Sequence, residues 1–231
     1  MKTLRRLARD RALVLGLVLI SLLVLAAVFA APLANFPGHV TGFDPSQRLK
    51  PPGATYWLGT DRMGADLYSR LLFGARLTIL ISVTATAVAV LIGVPMGLLA
   101  GYFDRWWSDA LMRISDVFLA VPQIVLAIAI AQTLGPSIEN VILALSVTYW
   151  PWFTRLVFAE VKSLKNETFI EAAIALGVPT WRIVLLHVLP NVSSPIIVRA
   201  SIGMGFTILT AASLGFLGLG APPPAPEWGR M

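Results

Sequence analysis

Apolar residues in this chain gather into long uncharged runs instead of alternating with polar ones. Ala12–Ala31 carries no charged side chain. It matches the roughly 20 helical residues, at about 1.5 Å rise each, that cross a hydrocarbon core about 30 Å thick. Leu77–Phe103 is a longer run with Pro95 inside it, which predicts a tilted or kinked span. Val117–Ile138 is a third run. Asn140–Ala159 is a fourth, interrupted by Arg155 near its end, and Ala200–Gly220, entered through Pro195–Arg199, is a fifth. Backbone groups in lipid must be satisfied within their own segment, so these runs are read as helices. The pattern predicts an all-α polytopic membrane protein with five spans present. The first run has a basic flank, Lys2 to Arg11, as a signal peptide does. Its apolar core is longer than a usual signal core and no clean small-x-small site follows, so it is read as a retained span.

Composition agrees with the runs. Of the 231 residues 57% are hydrophobic and only 13% charged, against about a quarter charged in a soluble domain. The net charge of +6 would raise nucleic-acid binding in a soluble protein. Here the basic residues flank or connect the apolar runs, so the charge is read as topology and nucleic acid is excluded as a partner. With the N-terminus inside, the inner segments hold Lys2, Arg5, Arg6, Arg9, Arg11, Arg105, Arg113, Arg155, Lys162, Lys165, Arg182 and Arg199. The outer segments hold Arg48, Lys50, Arg62, Arg70, Arg76 and Arg230. Most of the outer charges lie in the loop Pro32–Arg76, and long segments weigh less in this rule. The expected order is a cytoplasmic N-terminus over 1–11, a first span over 12–31, an extracytoplasmic loop over 32–76, and a transmembrane domain over 77–231.

Candidate chemistry is sparse. There is no cysteine and the histidines are His39 and His187 alone, so no metal site is expected. No G-x-x-x-x-G-K-[ST] loop exists to cradle a nucleotide phosphate, and no nucleophile–base–acid set stands out, so no catalytic residue is assigned. Asp116, Arg155 and Arg199 fall near the ends of the runs, where they can snorkel or pair. That argues against a proton relay. Gln123 and Gln132 are the main polar residues of the third run, suited to lining a cavity or to bonding between helices. Gly93, Gly97 and Gly101 form a doubled G-x-x-x-G that lets backbones approach closely, within this chain or against a second subunit. In the loop 32–76, Asp61 and Asp66 are candidate outer contacts; the plainer reading pairs such acids with Arg62 and Arg70.

The segment 160–194 is more than a linker. Thr168-Phe169-Ile170-Glu171 reads as a capping box, with Thr168 as cap and Glu171 reaching back to its N–H. Ala172–Leu176 continues a helix of about two turns, Gly177 is placed as its left-handed stop, and Pro179 follows. Thr180 is then set to cap a second short helix, Trp181–Leu189, ending at Pro190. A helix this short needs docking to be stable. Either a second protein receives it, or the loop lies on the membrane surface beneath its own bundle.

A family resemblance bears on that choice. Glu171-Ala172-Ala173, three residues, Gly177, nine residues, then His187-Val188-Leu189-Pro190-Asn191 resembles the EAA loop of binding-protein-dependent ABC importer permeases. The general pattern has an aliphatic residue where His187 stands; the His-x-Leu-Pro-Asn form is similar to the dipeptide, oligopeptide and nickel branch. Trp57-Leu58-Gly59-Thr60-Asp61, Gly64, Asp66 and Ser69–Arg76 resemble the stretch before the second span of permease C subunits. Ala65 departs from the arginine usual there. Ser213–Gly220 with Pro222, Pro223 and Pro226-Glu227-Trp228-Gly229 is similar to the end of the fifth span.

The resemblance implies a type I ABC importer transmembrane fold. Its loop 160–194 would be the coupling element, with Glu171, Ala172, Ala173, Gly177, His187, Leu189, Pro190 and Asn191 as the coupling residues. It implies a second permease subunit, two cytoplasmic ATPase subunits that bind ATP and Mg, and an extracytoplasmic binding protein, all in a bacterial inner membrane. No cofactor would be bound by this chain. The family also has a sixth span, so a truncated or partly represented product is expected here. Dipeptides or oligopeptides are the expected cargo, with nickel, glutathione or another small solute as alternatives. An ion-coupled transporter or a membrane scaffold is a more distant reading. The residues lining the path are not indicated.

Overall fold

A computed structural model describes residues 11–231; the basic flank before Arg11, read above as cytoplasmic, lies outside the described residues. Two compact units share the chain. One holds the residues up to Leu80 together with Gly215–Met231, and the other holds Ile81–Leu214. Among the described residues, four helices are long and apolar enough to cross a membrane, or five if one sharply bent pair counts as a span.

In the first unit, α1 (Arg11–Val28) is followed by the short α2 (Ala30–Leu33). Both Arg76 Nε and Nη2 donate to the last carbonyls of α1, at Ala27 and Val28, which are the acceptors a helix C-terminus leaves unpaired. The loop after α2 folds on itself. Gly59 and Gly64 take positive φ, +78° and +83°, and a Cβ at either would strike the carbonyl of Lys50 or Asp44. These turns let Thr60 bridge to Asp66 just ahead of α3 (Leu67–Tyr102), a helix of 36 residues that passes through Pro95. The last segment of the chain joins this unit. Arg70 Nη2 donates to Ala225 O at 3.0 Å and Trp228 Nε1 to Leu71 O at 2.9 Å.

In the second unit the helix α6 (Ile138–Leu164) is central. Ser137 caps it, its hydroxyl accepting from the Asn140 N–H at 3.1 Å. The glycines of α3 lie against it in order. A Cβ on Gly93 would come within 2.7 Å of Phe153 Cβ, one on Gly97 within 2.7 Å of Thr154 O and of Val157 Cβ, and one on Gly101 within 2.8 Å of Val161 Cβ. The doubled G-x-x-x-G is therefore a packing seam inside this chain, with α3 and α6 running parallel.

The third apolar run is not one straight helix. α4 (Trp106–Ala120) and α5 (Gln123–Leu134) meet at a bend of 91°. Val121 is extended (φ −89°, ψ 133°), as a residue before proline tends to be, and Pro122 turns the chain. α5 stops at Gly135, φ +86°. α4 runs antiparallel to α6 through three rungs: Asp104 with Lys162 and Lys165, Asp116 with Arg155, and Phe118 with Trp150 at 5.5 Å between ring centroids.

Past a short helix α7 (Thr168–Ala175), a turn of α8 (Thr180–Arg182), a π-helical stretch Ile183–Val188 and α9 (Leu189–Phe216) follow without a break. The expected stop at Pro190 does not occur. In a regular α-helix a proline ring clashes with the carbonyl four residues back. Here the preceding turn is widened, so that Leu189 N–H reaches back five residues to Val184 O, and the ring is accommodated. Arg155 and Arg199 consequently lie inside helices that extend beyond the apolar runs, while Asp116 lies one turn from the end of α4, next to the bend.

Candidate functional site

The segment 160–194 forms a bent lever on the end of α6. The chain leaves α6 through a turn in which Glu167 N–H donates to Leu164 O. Glu167, extended at φ −78° and ψ 141°, is the residue that precedes α7, and no side-chain cap bond is made. The capping box read from the sequence does not form, because the helix starts one residue earlier than expected. Thr168 is already helical, and Glu171 sits a position too far along to return to the cap N–H; it is exposed. The C-terminal stop is as expected. Gly177 has φ +73°, its N–H donates to Ile174 O at 2.9 Å, and Val178 N–H donates to Ala173 O at 3.1 Å. That pair of bonds is the Schellman arrangement, which needs the left-handed residue. A Cβ on Gly177 would meet nothing within 4 Å.

One face of the lever is pinned. Ile170, Ile183 and Val188 are buried in the same apolar cluster as Leu98 and Tyr102 of α3 and Val157 and Val161 of α6. Ala173 and Leu189 pack against it, partly buried. Much of the remaining surface is open and apolar. Phe169, Ile174, Leu176, Trp181 and Leu186 are all exposed, Leu176 at 83%. Of the residues read from the sequence, Glu171, Ala172, Gly177, Pro190 and Asn191 are exposed and His187 is half-buried. Asn191 Nδ2 donates to His187 O at 2.6 Å, tying the Pro190 step to the π turn. Sequence reading missed both the pins and the open apolar side chains. The signal was present, since a loop with so many large apolar residues and only short helices cannot bury them all.

The root of the lever is held by charge. Lys165 Nζ donates to Asp104 Oδ2 at 2.8 Å and Lys162 lies 3.6 Å from Asp104 Oδ1. The Lys165 bond and charge hold the Asp104 carboxyl below its ordinary value, with Lys162 adding to the effect.

The outer-loop acids are both engaged within their own unit. Asp61 pairs with Arg70 at 3.1 Å and accepts from the N–H groups of Met63 and Ala65. Asp66, 1% exposed, accepts from Ser69 N–H and Oγ at the start of α3. Further along, Glu227 is buried beside Gly215 and Gly220, where a Cβ would crowd its carboxylate, and it accepts from Ala221 N–H at 2.6 Å. Burial pushes its carboxyl up, against the opposing pull of the Ala221 bond and the Arg230 charge. Among the described residues no three His, Asp or Glu side chains gather as a metal site.

With this geometry in place, comparison with known proteins is informative. Residues 93–231 match the family described as binding-protein-dependent transport system inner membrane component. Residues 2–52 match the N-terminal TM domain of oligopeptide transport permease C. A dipeptide transport system permease protein of Alkalihalophilus pseudofirmus is 44% identical over 98% of this chain and 74% of its own length. A glutathione transport system permease protein of Pectobacterium atrosepticum is 40% identical over 98% of this chain and 75% of its own. Among solved structures, a methionine ABC transporter in an inward-facing conformation shares the fold, with a TM-score of 0.55 at 21% identity over 66% of this chain and 76% of that one.

Proposed function

The chain belongs to the binding-protein-dependent transport system inner membrane components, the membrane subunits of ABC importers, and from that premise we propose that it carries peptides and is driven through α7. The observation that carries the proposal is a lever that is pinned to the core at some side chains and exposes large apolar ones at others. Ile170, Ile183 and Val188 fix it to the core formed with α3 and α6, while Phe169, Ile174, Leu176, Trp181 and Leu186 stay exposed. A packed core is stiff and passes strain on. A push on the open face is therefore delivered to the spans. Since no phosphate-cradling loop occurs in the sequence, the push comes from partner subunits that bind ATP with Mg. Two such ATPases, a second permease and an extracytoplasmic binding protein complete the assembly. The lever faces the cytoplasm, with the N-terminus on the same side of an inner membrane.

The cargo proposed is a dipeptide or oligopeptide, following the 44% identity to a dipeptide permease. Glutathione, itself a small peptide, is the second reading, following the 40% identity to a glutathione permease. The test is purification of the whole gene product from its own membranes in mild detergent, with identification of what accompanies it. Recovery of a second permease, an ATPase and a binding protein from the wild type is expected, with the ATPase lost from Gly177→Trp. Recovery of the wild type alone, under conditions that preserve other membrane complexes, sinks the proposal.

A further inference from the structure

Three charged side chains sit deep in the helices of the 81–214 unit. Asp116 lies in α4, which starts at Trp106; Arg155 lies in α6, which ends at Leu164; Arg199 lies in α9, which starts at Leu189. At 1.5 Å per residue each is about 14–15 Å along its helix from that residue. Trp106, Leu164 and Leu189 are on one side of the unit. Asp104, just before α4, pairs with Lys162 and Lys165 at the end of α6, and Val188 and Val192 share a cluster with Val157 and Val161. The charges therefore occupy one layer. Asp116 pairs with Arg155. The Arg199 guanidinium lies over Trp152, 4.5 Å from the ring centroid, and Trp152 is one turn from Arg155.

Charged groups at such depth face a bundle interior or a water-filled cavity, because facing lipid costs about 2.5–3.5 kcal/mol or more. Yet Asp116 and Arg155 are 47% and 45% exposed in this chain, and Trp152 is 40% exposed. A further polar group of the same unit is unpartnered: Gln123 Nε2 is buried without a hydrogen-bond partner among the described residues. Among the described residues Arg199 has no carboxylate within ion-pair distance, so the layer carries one uncompensated positive charge.

We infer that Asp116, Arg155 and Arg199 line the substrate path and receive the two charged ends of a peptide in transit. This rests on the peptide reading above. A free peptide presents one carboxylate and one ammonium. Arg199 takes the carboxylate, and Asp116 takes the ammonium by exchanging it for Arg155. The Asp116–Arg155 pair satisfies both groups when the path is empty. Binding that must displace an existing pair is weak, and a path has to release what it admits.

The experiment uses the complete transporter in proteoliposomes with radiolabelled Ala-Ala delivered on its binding protein. Arg199→Gln, Arg199→Lys and wild type are compared, and each purified complex is checked for its subunits. Loss of a charged contact lowers the rate about tenfold in Arg199→Gln, while Arg199→Lys stays within about twofold of wild type. Both variants retain the second permease. Equal loss in both variants, or a second permease missing from the Gln complex, overturns the inference in favour of packing or a subunit interface and leaves the peptide reading standing. A wild-type complex that assembles, hydrolyses ATP and imports no Ala-Ala overturns the peptide reading, and with it the occupant assigned here.

Discussion

At the scale of single residues, Gly177 and Glu227 make separable predictions. Gly177 holds φ +73° with open space where a Cβ would stand. An alanine there meets only the conformational penalty of the left-handed region, about 1–2 kcal/mol, and tryptophan meets much the same. Melting temperatures of Gly177→Ala and Gly177→Trp are therefore expected to fall together by a few degrees. Coupled transport should be lost in the tryptophan variant alone, because the bulk points away from its own fold. Glu227 predicts a pH dependence. Its folded carboxyl is raised by burial, so the folded state holds a proton that the unfolded state releases. The resulting stabilisation is full below the ordinary carboxylate range and is lost as pH rises through the raised value. Hydrogen exchange at the Ala221 amide, corrected for its intrinsic rate, should be slower at about pH 5 than at about pH 8. Glu227→Gln should flatten that difference. Glu227 was legible only as part of a motif, since burial is set by Gly215 and Gly220 closing around it.

At the scale of elements, the seam of α3 on α6 carries the sharpest expectation. A side chain at Gly97 would drive into Thr154 O and Val157, both on a helix that cannot yield locally. Gly97→Val should cost about 3 kcal/mol and lower the yield of folded protein in detergent. Gly205→Val, in α9 with open space around it, should not. The apolar runs located the spans but not their ends. Helices α3, α6 and α9 continue past lipid with polar and aromatic residues, which hydropathy discounts. The break at Pro122 was hidden because no charge interrupts Val117 to Ala131 and Gln123 is the one strongly polar side chain there. The helix through Pro190 was hidden for the opposite reason: a proline reads as a stop unless the turn before it widens, and nothing in Ile183–Val188 announces a π turn. Gly177 was legible because only one backbone conformation suits a glycine followed by Val178-Pro179 after a helix.

At the scale of the whole molecule, the spacing of Glu171, Gly177 and His187–Asn191 carried more about function than composition did, because it pointed to the importer permease family to which the chain belongs and composition pointed only to a membrane. The arrangement of that lever across the membrane is open to direct test. The chain has no cysteine, so single cysteines report without background. A membrane-impermeant maleimide on intact spheroplasts is expected to label Ser46→Cys and to reach Asn166→Cys only after permeabilisation; the reverse pattern would invert the topology. The open face of the lever also bears on how long the subunit survives before it is assembled. Leu176, Trp181 and Leu186 are exposed in the chain by itself; on the coupling proposed above an ATPase covers them, and exposed apolar surface of this kind is what proteases and chaperones recognise. On that proposal an orphan copy displays its own degradation signal, and the cell's stock of this permease is expected to follow the supply of its partner, which pulse-chase labelling with and without the ATPase checks.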